Sequence, residues 1–187
     1  LSRSSGESDV VFGTTRACRS FNPSAKSMVG IFINTLPTRA RVEEEASLLP
    51  WLNRLRARDI AVQPHEHAPL SEVQAQSALQ RATPLFQTLL VFEHESLCAT
   101  MNSLDPGWRR RGIELFEKTN FPVTLTSVGG SCLSLNLTYD RNRFEPSAVT
   151  RMLAHLRTLL ESMAASPDAL LKDLPWLTPE ELRQLDE

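Results

Sequence analysis

No stretch of this 187-residue sequence approaches the about 18 consecutive apolar residues of a membrane-spanning helix, and the opening LSRSSGESD lacks the apolar core of a signal peptide. Charge of one sign is not in excess: the formal net charge of −2 excludes a global basic field of the kind that meets nucleic acid. Cysteine is sparse. Cys18, Cys98 and Cys132 lie far apart and in no C-x-x-C spacing, which favours reduced thiols in a cytoplasmic protein over a disulfide framework. Phosphate-cradling glycine loops are missing too, both G-x-x-x-x-G-K and G-x-G-x-x-G. There is no G-x-S-x-G elbow, because Ser131 follows Gly129-Gly130 in what reads as a hairpin turn. A Ser-His-Asp set assembled only in space stays open.

What is present is ordinary globular material, 41% apolar and 22% charged, enough for one domain with a core or one lobe of something larger. A strand-like VVF follows within ten residues of Leu1, with no helix or start methionine before it, as expected of a piece cut from a longer chain. Val10 to Thr14 predicts a buried strand, and TRACRSFNPSAKS (15–27) a loop around Asn22-Pro23. Met28 to Arg39 is the second strand candidate, with Gly30 marking a bulge or a close backbone approach.

Ser47 is placed to cap a helix over 48–62, where Leu48, Leu52, Leu55 and Val62 keep helical spacing and Asp59 interrupts it. Pro50 is tolerable there because it falls in the first turn. A Pro-bounded loop and a short helix from Leu70 follow, then a central strand over Gln87 to Glu93. From His94 to Asn120 no period is visible. Two alternating runs, VTLTSV (123–128) and CLSLNLTY (132–139), joined at Gly129-Gly130, predict a hairpin. Pro146 opens a helix whose stripe, Val149, Met152, Leu153, Leu156, Leu159, Leu160 and Met163, needs a sheet face to pack on. Thr178-Pro179-Glu180-Glu181 fits a capping box. The order implies an α/β (α+β) layered sandwich, a mixed β-sheet with helices packed on it.

Chemistry is harder to find. His65 and His67 flank Glu66, but no further Cys or His follows at zinc-ligand spacing, so a solvated or structurally bonded pair is the simpler reading. His155 sits among leucines as a partly exposed helix residue. Arg109 to Arg111 could meet a phosphate, though a solvated loop explains them as well. Cys98 has no cue for a lowered pKa. No residue can be nominated as catalytic, and no metal is implied.

Several stretches nevertheless resemble one family, the C-terminal half of a nonribosomal peptide synthetase condensation domain. MVGIFINTLPTR (28–39) is similar to its V-G-x-F-x-N-T-x-x-x-R motif, with Val29, Gly30, Phe32, Asn34, Thr35 and Arg39 in place. SGESDVVFGTT (5–15), HEHAPLSEV (65–73) and TPLFQTLLVFE (83–93) resemble its neighbouring strands and loop. FEKTNFPVTLTSV (116–128), LNLTYDRNRFEP (135–146) and LPWLTPEELRQL (174–185) resemble its last hairpin, last helix and exit linker. The loop after the first strand departs from the family, lacking its Ser-Gly-Arg-Pro.

The resemblance implies one chloramphenicol-acetyltransferase-like lobe over 1–173, with the N-terminal lobe absent, and an exit linker over 174–187 toward an adenylation domain. It also implies amide formation between substrates on phosphopantetheine arms of upstream and downstream peptidyl carrier domains, with no cofactor bound directly and neither nucleic acid nor membrane as partner. Such synthetases make antibiotics and other secondary metabolites. The family's His-His-x-x-x-Asp-Gly motif belongs to the other lobe and does not occur here, so this chain alone is expected to be inactive. Gly30, Phe32, Asn34 and Thr35 are implied to form the substrate-channel floor at the lobe junction. Asn34 and Thr35 either turn toward the cleft or only bond local backbone. A lobe standing alone is expected to expose its junction face and to self-associate. Two alternatives stay in view: a non-catalytic carrier-docking module, and an acyltransferase using coenzyme A or acyl-carrier donors.

Overall fold

The five strand candidates become one sheet in the computed structural model, which describes residues 1–19, 23–79, 83–93, 119–130 and 132–185. A helical turn, α1 (Ser2–Ser5), ends at Gly6, whose φ of 76° is the left-handed cap that glycine adopts without a Cβ penalty. Then come β1 (Asp9–Ala17), β2 (Ile33–Arg41), α2 (Leu48–Val62), α3 (Leu70–Ala75), β3 (Thr88–Glu93), β4 (Val123–Val128), β5 (Ser134–Tyr139), α4 (Pro146–Ala165) and α5 (Pro179–Leu185). The strand order is β2-β1-β3-β4-β5. β1 pairs antiparallel with β2 and β4 with β5, while β1–β3 and β3–β4 are parallel. The mixed sheet and the central place of β3 follow the sequence pattern.

Three boundaries differ, each for a physical reason. β1 passes through Gly13 and runs on to Ala17, over residues 15–17 that read as the start of a loop. The Phe86 ring, stacked on Phe121 with centroids 5.4 Å apart, presses so close that a Cβ at position 13 would overlap it.

The apolar run Met28–Phe32 was expected to bury as strand and does not. β2 starts at Ile33, and Val29 and Ile31 are 104% and 92% exposed. Arg19 accounts for this. Its Nη1 donates to the carbonyls of Ala25 (2.6 Å) and Met28 (2.9 Å), its Nη2 to Gly30 (3.1 Å), and its guanidinium lies 4.3 Å over the Phe32 ring. The hairpin register Val128↔Ser134 also leaves a loop longer than Gly129-Gly130. Gly129 N donates instead to Glu93 O at 2.8 Å, tying the loop to β3.

The helices cover the sheet through two packing centres. Along the stripe of α4, Val149 is buried, and Met152 and Leu156 face Phe12, Leu90 and Leu125 across a cavity of about 350 Å³. At its far end, Leu159 and Met163 close on Leu48, Leu171 and Leu174, of which Leu48 is almost wholly buried. Ser47 does not cap α2 with its side chain. Leu48 N donates to Ala169 O and Leu171 N to Ala46 O, both at 2.9 Å, so a backbone bridge does the work. Among the described residues no helix is long and apolar enough to cross a membrane.

Candidate functional site

The β1–β2 ladder sets Asn34 opposite Arg16 and Thr35 opposite Thr15, so each pair projects from one face at one level. The Asn34 side chain spans to the turn after α2. Nδ2 donates to the carbonyls of Glu66 (2.7 Å) and Ala68 (2.8 Å), and Oδ1 accepts from Thr35 N (2.9 Å). Both amide hydrogens are therefore committed to protein backbone. Besides the local bond to Thr35 N, these contacts reach more than 30 residues along the sequence, so Asn34 makes a tertiary tie rather than only a local cap.

Around this tie lies a half-buried polar cluster. Arg16, 13% exposed at its side chain, meets Asp59 through Nη2 and Glu66 Oε1 at 3.8 Å through Nη1. Asp59 holds the guanidinium protonated even more firmly than usual, and Arg16 Nε is buried without a partner. The Cys18 thiol donates to Glu66 O at 3.1 Å, and burial pushes its pKa up, so it is a poor nucleophile. His65 and His67 are exposed on either side of Glu66. Among the described residues no three His, Cys, Asp or Glu side chains converge as metal ligands.

The four floor residues are only partly brought together. Asn34 and Thr35 begin the edge strand β2, while Gly30 and Phe32 lie on the exposed segment that Arg19 holds. Of the bulge or close approach read at Gly30, the geometry shows this much: among the described residues a Cβ there would meet only the Phe32 ring, at 3.5 Å. A groove of about 780 Å³ between the sheet and α2, lined by Thr14, Arg16, Thr38, Leu55 and Asp59 among others, includes none of the four. His94, Cys98 and Arg109 to Arg111 lie outside the described residues.

Sequence reasoning missed Arg16, Arg19, Asp59 and Glu66. For Asp59 a signal was available, since it breaks the apolar stripe of α2 and a half-buried charge calls for a partner; Arg16 gave none, because residues 15–27 read as a loop.

A second polar cluster fixes α5. Thr178 and Glu181 form the expected box, Glu181 Oε2 accepting from Thr178 N and Oγ1 at 2.9 Å, and Thr178 Oγ1 accepting from Glu181 N at 3.3 Å. The Glu181 carboxylate also meets His155 on α4, whose ring packs edge-on against Trp176 at 4.9 Å. The Thr178 amide first, then His155, holds the Glu181 pKa down at about 2.

The layered mixed sheet is that of the chloramphenicol-acetyltransferase-like fold. A holo four-domain nonribosomal peptide synthetase solved with AMP and glycine superposes with a TM-score of 0.76 at 19% identity, over 95% of this chain and 15% of that one. The first condensation domain of the CDA synthetase gives 0.68 at 14% identity, over 95% of this chain and 40% of the other. The chain belongs to the condensation domain family, whose model matches residues 1–185. Linear gramicidin synthase subunits B and C of Brevibacillus parabrevis are 36% and 33% identical to it over 186 residues, 99% of this chain. The chain spans only 4% and 2% of the length of those two relatives.

Proposed function

We propose that this chain is the C-terminal lobe of a condensation domain in a nonribosomal peptide synthetase, joining carrier-tethered aminoacyl or peptidyl thioesters by amide formation. The observation that carries the reading is the family match over residues 1–185. Residues 1–173 form the lobe and 174–187 lead toward an adenylation domain. Phosphopantetheine arms on upstream and downstream carrier domains bring the substrates into a channel, and the assembly is cytoplasmic. The histidine that handles the proton belongs to the N-terminal lobe, so this lobe alone does not turn over.

The exposed face of the 28–33 segment supports a lobe junction. Val29, Ile31 and Ile33 alternate outward at 104%, 92% and 67% exposure, while Arg19 holds the backbone behind them. An apolar ridge kept extended in this way is preorganised for a partner surface. We assign Gly30, Phe32, Asn34 and Thr35 to the channel floor beside that ridge, with Asn34 shaping it through the Glu66 and Ala68 carbonyls.

The test is a donor and acceptor comparison on the polypeptide that carries both lobes. Amide product with a carrier-bound acyl donor and a carrier-bound amine is expected. Equal turnover with acyl coenzyme A and a free alcohol would transfer the chain to a different acyltransferase activity, and binding of loaded carriers without any product would make it a docking module.

A further inference from the structure

Glu66 is the point where the two strands of the edge hairpin and the end of α2 meet. Its carbonyl takes Asn34 Nδ2 at 2.7 Å and Cys18 Sγ at 3.1 Å, and its carboxylate faces Arg16 Nη1 at 3.8 Å. Arg16 and Asn34 are register partners across β1–β2, so one residue of the turn is gripped by two adjacent side chains, at its backbone and at its side chain. Asp59 on α2 closes the other side of the guanidinium. A charge this sheltered costs stability unless both its neighbours stay in place, so Arg16 ties the turn and α2 to the sheet as a unit.

We propose that Arg16 is a positioning residue of the channel floor: with Asp59 and Glu66 it sets the 65–68 segment where Asn34 can clamp it, and so fixes the floor for condensation. This rests on the condensation reading above. Without Arg16, the Asp59 and Glu66 carboxylates lose the cation between them, the turn is held only by the bonds of Asn34 and Cys18 to the Glu66 carbonyl, and the carbonyls that satisfy Asn34 shift. Arg16 and Asn34 then act through one element, and their losses do not add.

The experiment uses the two-lobed polypeptide and loaded donor and acceptor carriers, with Arg16→Met, Arg16→Lys, Asn34→Ala and the Arg16→Met/Asn34→Ala pair. Arg16→Met is expected to lower kcat by about tenfold to a hundredfold, as small misplacements do, with little change in acceptor KM and an unchanged folded fraction. Arg16→Lys restores most of the loss, and the pair is no worse than Asn34→Ala alone. Full kcat with only a lowered melting midpoint would overturn the proposal, as would strictly multiplicative losses. Should Arg16→Met not fold, Glu66→Gln keeps the carbonyl, removes the charge and is read the same way.

Amide exchange at Thr35, whose N–H bonds Asn34 Oδ1, gives a readout independent of turnover. It is expected to speed up about tenfold in Arg16→Met, and unchanged protection overturns the clamp whatever the reaction. An unmodified polypeptide that makes no amide, but shows faster Thr35 exchange on loss of Arg16, would refute the condensation reading and leave the clamp standing.

Discussion

His155 and Glu181, 26 residues apart in sequence, meet with the imidazole Nε2 at 2.8 Å from both carboxylate oxygens. The same carboxylate accepts from Thr178, so one side chain both caps α5 and docks it on α4. α5 is therefore docked on α4 by a hydrogen-bonded contact, for it contributes no buried residue of its own.

Acid should undo this contact. Glu181 titrates at about 2 in the folded chain against an ordinary 4.5, so the folded form holds the proton more weakly than the unfolded one. The stabilisation is complete above pH 4.5 and lost as pH falls toward about 2. Protection of the α5 amides, corrected for the intrinsic pH dependence of exchange, is expected to fall between pH 4.5 and 2.5 (an experimental window of about two units), and Glu181→Gln should abolish that fall. Asp9, held at about 2 by Arg39 and Arg41, titrates over the same range at the start of β1. Readout at α5 alone separates the two.

Gly13→Ala tests the close approach of Phe86. Overpacking of this kind costs about 1–3 kcal/mol, and a smaller ring-position side chain should recover much of it. The denaturant midpoint of Gly13→Ala is expected to fall and that of the Gly13→Ala/Phe86→Leu pair to rise back toward the parent.

Leu48→Ala strikes the centre where α2, α4 and the Leu171–Leu174 turn converge. Removing so buried a leucine should cost about 2–5 kcal/mol in urea unfolding. By contrast Leu52→Ala, on the same helix but 39% exposed, should cost less than about 1 kcal/mol.

Val29→Ser and Ile31→Ser remove apolar side chains that touch solvent in this chain. Stability should change by less than about 0.5 kcal/mol, whereas concentration-dependent self-association, followed by light scattering, should fall. Association unaffected by both changes would detach the 28–33 ridge from any interface.

How much of this was legible beforehand depends on whether a feature is local. The strands of the hairpin, the stripe of α4 and the Thr178–Glu181 box are written in spacings of two to four residues, and each formed, β5 starting at Ser134 rather than Cys132. The run Met28–Phe32 misled because hydrophobicity alone signals burial, while what positions it is Arg19, outside the segment. Ser47 looked like a cap, but the chain 120 residues later supplies backbone partners for that helix start (roughly the separation of Leu48 and Ala169). In the site, the motif picked out Asn34 and Thr35, but not Arg16, Asp59 and Glu66. Their roles come from cross-strand register and from the return of the turn after α2, which no short window contains.

The most direct measurement is amide formation from loaded donor and acceptor carriers by residues 1–187 alone and again after the complementary lobe is supplied. No product from the chain alone, and product once the His-His-x-x-x-Asp-Gly half is added, is the expected result. Turnover by residues 1–187 unaided would contradict the two-lobed account.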